Sequence, residues 1–218
     1  MPLLFYFKIG ILLFELMACI TGVLLIRRLY PSFWKAVPLF LLLIVCCEIP
    51  GYYLALHNMM DANRILYVFF VIPAEFLFYF WLIFQMNRKK NKLMFLSGTF
   101  LYLLSFVAEY VYFPDIKSAF FLSLSYTLGN LILLIFLFRY FYTLILSEEL
   151  FSFYKIMDFW VAAGLLIFWL GSFPYYGLLN SLWKSYPSLF YSYSWLVVFL
   201  NYLMYISFSI GFLCKKSR

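Results

Sequence analysis

Apolar residues run almost unbroken along this chain, interrupted only by short polar breaks, and the intervals between breaks suit a helix that crosses a lipid bilayer. A helix rising about 1.5 Å per residue needs roughly 20 residues to traverse the hydrocarbon core. The pattern predicts seven spans: Leu3 to Ile26, Ala36 to Leu56, Ile65 to Met86, Leu93 to Phe113, Ala119 to Phe138, Phe159 to Leu179 and Phe190 to Leu213. The runs are too long for the core helices of a water-soluble protein. A transmembrane barrel is excluded as well, because alternating polar and apolar residues in segments of about ten are absent. The expected fold is therefore all-α, a polytopic seven-transmembrane-helix bundle forming a single integral membrane domain over residues 1–218. The first run is too long for a secretory leader, with no basic region before it and no small-residue cleavage site after it, so Met1 is expected in the mature protein.

Composition strengthens this reading. The chain is 67% hydrophobic and 11% charged, against roughly 45–50% apolar and 25% charged in soluble domains. Cys19, Cys46, Cys47 and Cys214 show no CxxC spacing and are expected to act as small buried hydrophobes, neither disulfides nor metal ligands.

Charge adds an orientation. Of the 16 lysines and arginines, all but Lys8, Arg64, Lys117 and Lys184 fall in the breaks after spans 1, 3 and 5 or after span 7. The positive-inside rule then places the N-terminus outside and the C-terminus in the cytoplasm of a multi-pass cell-membrane protein. The net charge of +7 follows from that asymmetry and from attraction to anionic inner-leaflet lipids, without a nucleic-acid partner. The segment from Tyr140 to Asp158 is the one sizeable inner loop and is expected to prolong span 5 into the cytoplasm. Tyr30, Trp34, Tyr112, Tyr175, Tyr176, Trp183 and Tyr186 fall near span ends, where an amphipathic ring suits the headgroup level.

A weak internal repeat is visible. Span 2 ends Pro50-Gly51-Tyr52-Tyr53 and runs to Asn58, while span 6 ends Pro174-Tyr175-Tyr176-Gly177 and runs to Asn180. Aligning spans 3 and 7 on Lys89-Lys90 and Lys215-Lys216 sets Glu75 opposite Asn201. The plan suggested is 3+1+3 parallel repeats, an arrangement used by some transporters.

The chemistry lies in ionisable residues inside the spans: Glu15, Glu48, Glu75 and Glu109. A charged side chain at a helix centre costs roughly 2.5–3.5 kcal/mol on the insertion scale, so the central glutamates are expected to face one another or a wet cavity. Glu15, Glu48, Glu75, Asn130 and Asn201 all fall within about two turns of the midplane. Glu48 with Tyr52, and Glu75 with Tyr79, are i,i+4 pairs, and Ser123, Tyr126, Thr127 and Asn130 form a stripe on span 5. Ser194, Asn201 and Tyr205 form the matching line on span 7. A central polar chamber with Glu15, Glu48, Glu75, Asn130, Asn201, Tyr52 and Tyr79 as substrate-binding residues accounts for these positions. Closer to the outer surface, Lys8 and Glu109 lie at similar depth, about 6–8 Å inside the boundary, and form a candidate outer ion pair; snorkelling to the headgroups is the alternative.

Other motifs are thin. His57 and Asp61 have i,i+4 spacing but lack further ligands. HExxH, GxSxG and P-loop signatures are absent from the sequence, so no catalytic residue, metal or cofactor is assigned and the chain is not expected to be an enzyme.

Seven helices with an outer N-terminus resemble, in topology alone, the opsins, the G-protein-coupled receptors and the seven-helix sugar carriers. The motifs differ: span 7 has no Lys for a retinal, span 3 has no terminal Asp-Arg-Tyr, and no Pro-Gln motif occurs. Ile72-Pro73-Ala74-Glu75-Phe76-Leu77-Phe78-Tyr79-Phe80, together with Glu48, resembles a group of small uncharacterised seven-helix bacterial membrane proteins, a likeness that implies the layout and no activity. Two functions are compatible with these residues. One is a carrier for a small solute or cation; the other is a receptor-like sensor or scaffold that passes a signal to a separate cytoplasmic protein partner. The carrier is the favoured expectation.

Overall fold

The structure, a computed structural model, describes residues 2–29, 31–88, 91–112 and 122–214. Among these residues all regular structure is helical: α1 (Pro2–Leu24), α2 (Ala36–Leu56), α3 (Met60–Leu66), α4 (Ile72–Met86), α5 (Lys92–Tyr112), α6 (Ser123–Ile145), α7 (Met157–Gly177), α8 (Leu179–Ser185) and α9 (Pro187–Leu213). A π turn, Tyr67–Val71, joins α3 to α4 into one rod, Met60–Met86. Six helices are long and apolar enough to cross a membrane, and α1 adds a shorter apolar stretch, Gly10–Leu24. This is the helical bundle of a multi-pass membrane protein.

The π turn has a local cause. Pro73, in the first turn of α4, lacks an N–H and its ring would crowd the carbonyl four residues earlier. Widening the turn relieves that clash, and Ile72 N–H reaches back to the Tyr67 carbonyl in the i→i−5 pattern. Elsewhere the breaks are backbone events. Asn58 and Arg88 take positive φ values of 56° and 54° and so stop α2 and α4 without a glycine, and Asn91, with φ 60°, immediately precedes α5. The turn at Asn58 also takes His57 and Asp61 off a common helix; His57 Nδ1 lies 2.9 Å from the Tyr53 carbonyl.

Boundaries moved where polar residues enter a helix. α2 has the expected limits, but the rod begins at Met60, ahead of the apolar run, because Asp61, Asn63 and Arg64 form a polar first turn. α6 starts later than the expected span and continues past Arg139 to Ile145, prolonging the span as the sequence suggests; the short helical stretch Glu148–Lys155 follows it. Residues 119–121 of the expected span lie outside the described residues, as do Asp115, Lys117, Lys89, Lys90, Lys215 and Lys216.

α9 packs along α7 and α1, α1 also meets α2, and α4 and α5 lie on α6. The closest seam is α7 with α9: a Cβ on Gly164 would lie 2.9 Å from Ser207 Cβ and 3.1 Å from the Met204 carbonyl, and one on Gly211 would lie 3.4 Å from the Met157 carbonyl. Short connections make successive long helices antiparallel, so Arg27, Arg28, Lys35, Arg88, Lys92 and Lys155 share one end of the bundle. At that end Phe80, Ile83, Met86, Leu137, Tyr140, Leu165, Phe208 and Phe212 are buried in a continuous core.

Two expectations need correction. Cys46 is exposed and Cys47 and Cys214 are only partly buried, leaving Cys19 as the buried one; in a bilayer the outer surface of a helix is itself an apolar setting, so hydrophobicity does not imply an inward position. Trp34 and Tyr175 are not interfacial anchors, since both are buried, and Tyr176 faces inward as part of a cavity wall. Tyr112, Trp183 and Tyr186 are exposed as an interfacial belt requires, and Tyr30 lies outside the described residues.

Candidate functional site

Three glutamates on three helices converge on one cavity of about 480 Å³. Glu15 comes from α1, Glu48 from α2 and Glu75 from α4, two residues beyond Pro73. The cavity begins at Met60, Asn63 and Arg64, where α2 hands over to the rod, and descends between α1, α2, α4, α7 and α9 to Tyr79, Met204 and Tyr205 at mid-bundle. Beyond those residues the wall gives way to the close core that fills the basic end. The chamber is thus reached from one end of the bundle and has an aromatic floor.

Each carboxyl has a different setting. Glu48 Oε2 accepts a 2.8 Å hydrogen bond from the Tyr67 hydroxyl. That contact depends on Gly51: a Cβ there would lie 2.9 Å from Tyr67 Cε2, so the bare backbone of α2 lets the ring lie across it. Glu15 is 1% exposed and hydrogen-bonds with Tyr205, while its Oε1 has no partner. Glu75 is partly open to the cavity. The three carboxyls are close enough to interact electrostatically.

The wall contributed by α6 and α7 is aromatic. Trp169 packs against Phe76 at 4.8 Å and Tyr126 at 5.6 Å between ring centroids, and Tyr126 against Tyr176 at 4.7 Å. Tyr175 and Ser194 hydroxyls are 3.0 Å apart and tie α7 to α9 near the mouth. The indole N–H of Trp169, a buried donor, has no partner. At the rim Arg64 meets Asp61 at 3.8 Å, with Asp61 almost fully exposed, a surface pair of small energetic weight.

Of the residues singled out from the sequence, Glu15, Glu48, Glu75, Asn201, Tyr52 and Tyr79 all line this chamber. Asn201 spends its amide N–H on the Val197 carbonyl of its own helix, at 3.0 Å. Asn130 is not in the wall: fully buried, it donates a 3.1 Å hydrogen bond to the Trp169 carbonyl and ties α6 to α7 behind the aromatic lining. Glu109 is buried too, and its two carboxyl oxygens accept from Leu124 N–H at 3.0 Å and Ser125 N–H at 2.6 Å. It therefore caps the free N–H groups that open α6 and does not reach for the headgroups. The side chain of Lys8 lies outside the described residues.

Tyr67, Tyr126, Trp169, Tyr176 and Tyr205 complete the site. Tyr205 was visible on the polar line of span 7 and Tyr126 on that of span 5. Tyr67 and Trp169 carried no such signal, because each sits in a run of aromatic residues where lipid contact and cavity lining look alike. The chain matches no known protein-family model, and no curated protein or solved structure resembles it to a significant degree.

Proposed function

We propose that this chain is a seven-span cell-membrane carrier that takes a small cationic solute into the glutamate chamber from the outer side. The observation that carries the reading is the convergence of Glu15, Glu48 and Glu75 from three helices on one cavity. Carboxylates gathered at a membrane midplane are too costly to serve as filler. Like charges close together also oppose one another, so the protonation of the set couples to occupancy by a cation. The titratable groups that share the chamber with Glu75 are Glu15, Glu48, Tyr52, Tyr67, Tyr126, Tyr175, Tyr176 and Tyr205, with Tyr79 on its own helix and Arg64 at the mouth. Clustering of the basic residues at the closed end supports, by the positive-inside rule, a chamber open to the outside and a C-terminus in the cytoplasm. The proposed 3+1+3 repeat is supported by in-helix prolines at corresponding places, Pro50 in α2 and Pro174 in α7, and by Glu75 and Asn201 both reaching the cavity.

One observation favours a second reading. The chamber ends on a closed floor, as a receptor-like sensor would have it, with a cytoplasmic protein partner reading the basic end. Transport requires that floor to open in a second state; sensing does not. Neither reading involves catalysis.

Purified protein in lipid vesicles under a pH gradient separates the two. For the carrier, native protein drives cation flux that follows the gradient, and Glu75→Gln, which keeps size and hydrogen-bonding capacity, remains folded and loses it. Saturable cation binding with no flux assigns the chain to sensing, and unchanged flux in Glu75→Gln removes Glu75 from the mechanism.

A further inference from the structure

The chamber's dimensions and wall chemistry bear on what kind of cation would fit. A volume of about 480 Å³ falls in the range of small-molecule sites, about 300–1,000 Å³, and far exceeds what a dehydrated metal ion needs. Metal coordination requires several ligands within bonding distance of one point. Among the described residues no set of three or more His, Cys, Asp and Glu side chains is grouped in that way. Glu15, Glu48 and Glu75 instead come from three different helices of the wall.

We propose that the chamber is shaped for a small organic ammonium ion carrying an aromatic or branched apolar body, an inference that rests on the reading of the chamber as a cation site. The part-exposed rings of Tyr52, Tyr67 and Tyr176 in the lining offer both apolar surface and faces of negative potential, the combination that attracts alkylated nitrogen cations, while Tyr79, Tyr126, Trp169 and Tyr205 are buried in the wall. Glu15 supplies the anchor. Its buried Oε1 lacks a partner, a state that costs free energy in a dry interior, and an ammonium N–H donated to it would satisfy that oxygen. An anionic solute would be repelled by the carboxyls, and a neutral one would leave them without a counter-charge.

The probes are phenethylamine and 2-phenylethanol, which share a body and differ in the ammonium group. Binding to full-length protein in phosphatidylcholine nanodiscs would be followed by tryptophan fluorescence and by calorimetry, with Na⁺ and Ca²⁺ as competitors. Native protein is expected to bind phenethylamine saturably and roughly tenfold or more tightly than 2-phenylethanol, with neither metal ion competing. Glu15→Gln should erase that preference, so that the two probes bind alike, and Glu75→Gln provides a second variant should the first not fold; the comparison of probes needs native protein only. Equal binding of both probes, or a preference that survives both substitutions, overturns the proposal. Saturable binding of Na⁺ or Ca²⁺ that depends on the glutamates, with phenethylamine neither binding nor competing, sinks the organic cation and keeps the cation site. Absence of binding by every probe sinks both.

Discussion

The pairing of α7 with α9 and that of α2 with the α3–α4 rod occupy equivalent places in the proposed repeat, yet they are built differently. α7 and α9 lie along one another at glycine distance, Gly164 against Ser207 and Gly211 against Met157 and Val161. α2 meets the rod around α3 and the π turn and again where Phe40 stacks on Phe78 at 3.8 Å between ring centroids, and the chamber lies between these two contacts. In lipid, where helices are held by close packing more than by the hydrophobic effect, the first pair is a rigid post. The second pair opens around a cavity, with the Tyr67 hydroxyl donating to Glu48 near its upper end.

Breaking the post should have the largest effect. Gly164→Leu forces a side chain against Ser207 and the Met204 backbone, which cannot yield, and is expected to destabilise the protein by on the order of 3 kcal/mol. Its apparent melting temperature in detergent should drop far below that of the native protein; an unchanged value would mean that α7 and α9 are not close-packed. Glu109→Ala is a control outside both pairs. Losing the cap on α6 should lower stability by about 2 kcal/mol, read by the same melt, with ligand binding in the chamber retained.

Substitutions on the open side should cost less stability and alter the site more. Gly51→Ala pushes the Tyr67 ring off α2, a movable partner with a cavity to swing into, for a cost of about 1 kcal/mol and a marked change in phenethylamine affinity. Tyr67→Phe removes one hydrogen bond, worth about 0.6 kcal/mol between membrane helices. Its melt should barely move while affinity shifts. If either substitution unfolds the protein as Gly164→Leu does, the two pairs do not differ in the way their packing indicates.

Hydropathy made the long helices legible because lipid imposes a length and an apolar run on anything that spans it. It could not see the ends of α6 or the start of the rod, where helix continues through polar residues such as Arg139 and Asp61. The site was legible to the extent that charge is expensive: Glu15, Glu48 and Glu75 stood out for that reason and do meet. Asn130 shared their depth but points to α6–α7 packing, since depth says nothing of azimuth. Glu109 could not be distinguished from an ion-pair member, because its partners are backbone N–H groups that leave no mark in a sequence. Tyr67 enters the site through a widened turn, and regular helical counting does not anticipate one.

The contact of α1 with α9 sets a timetable. Glu15 finds Tyr205, and the Phe14 ring packs against Tyr202 at 4.6 Å between centroids, only when α1 meets α9. During synthesis α1 reaches the membrane long before α9 exists, so its acidic side chain must wait through the insertion of every intervening helix. The chamber is consequently complete only once α9 has joined the helices before it, and a chain stopped anywhere before Tyr205 leaves Glu15 packed near α2 but without that hydroxyl.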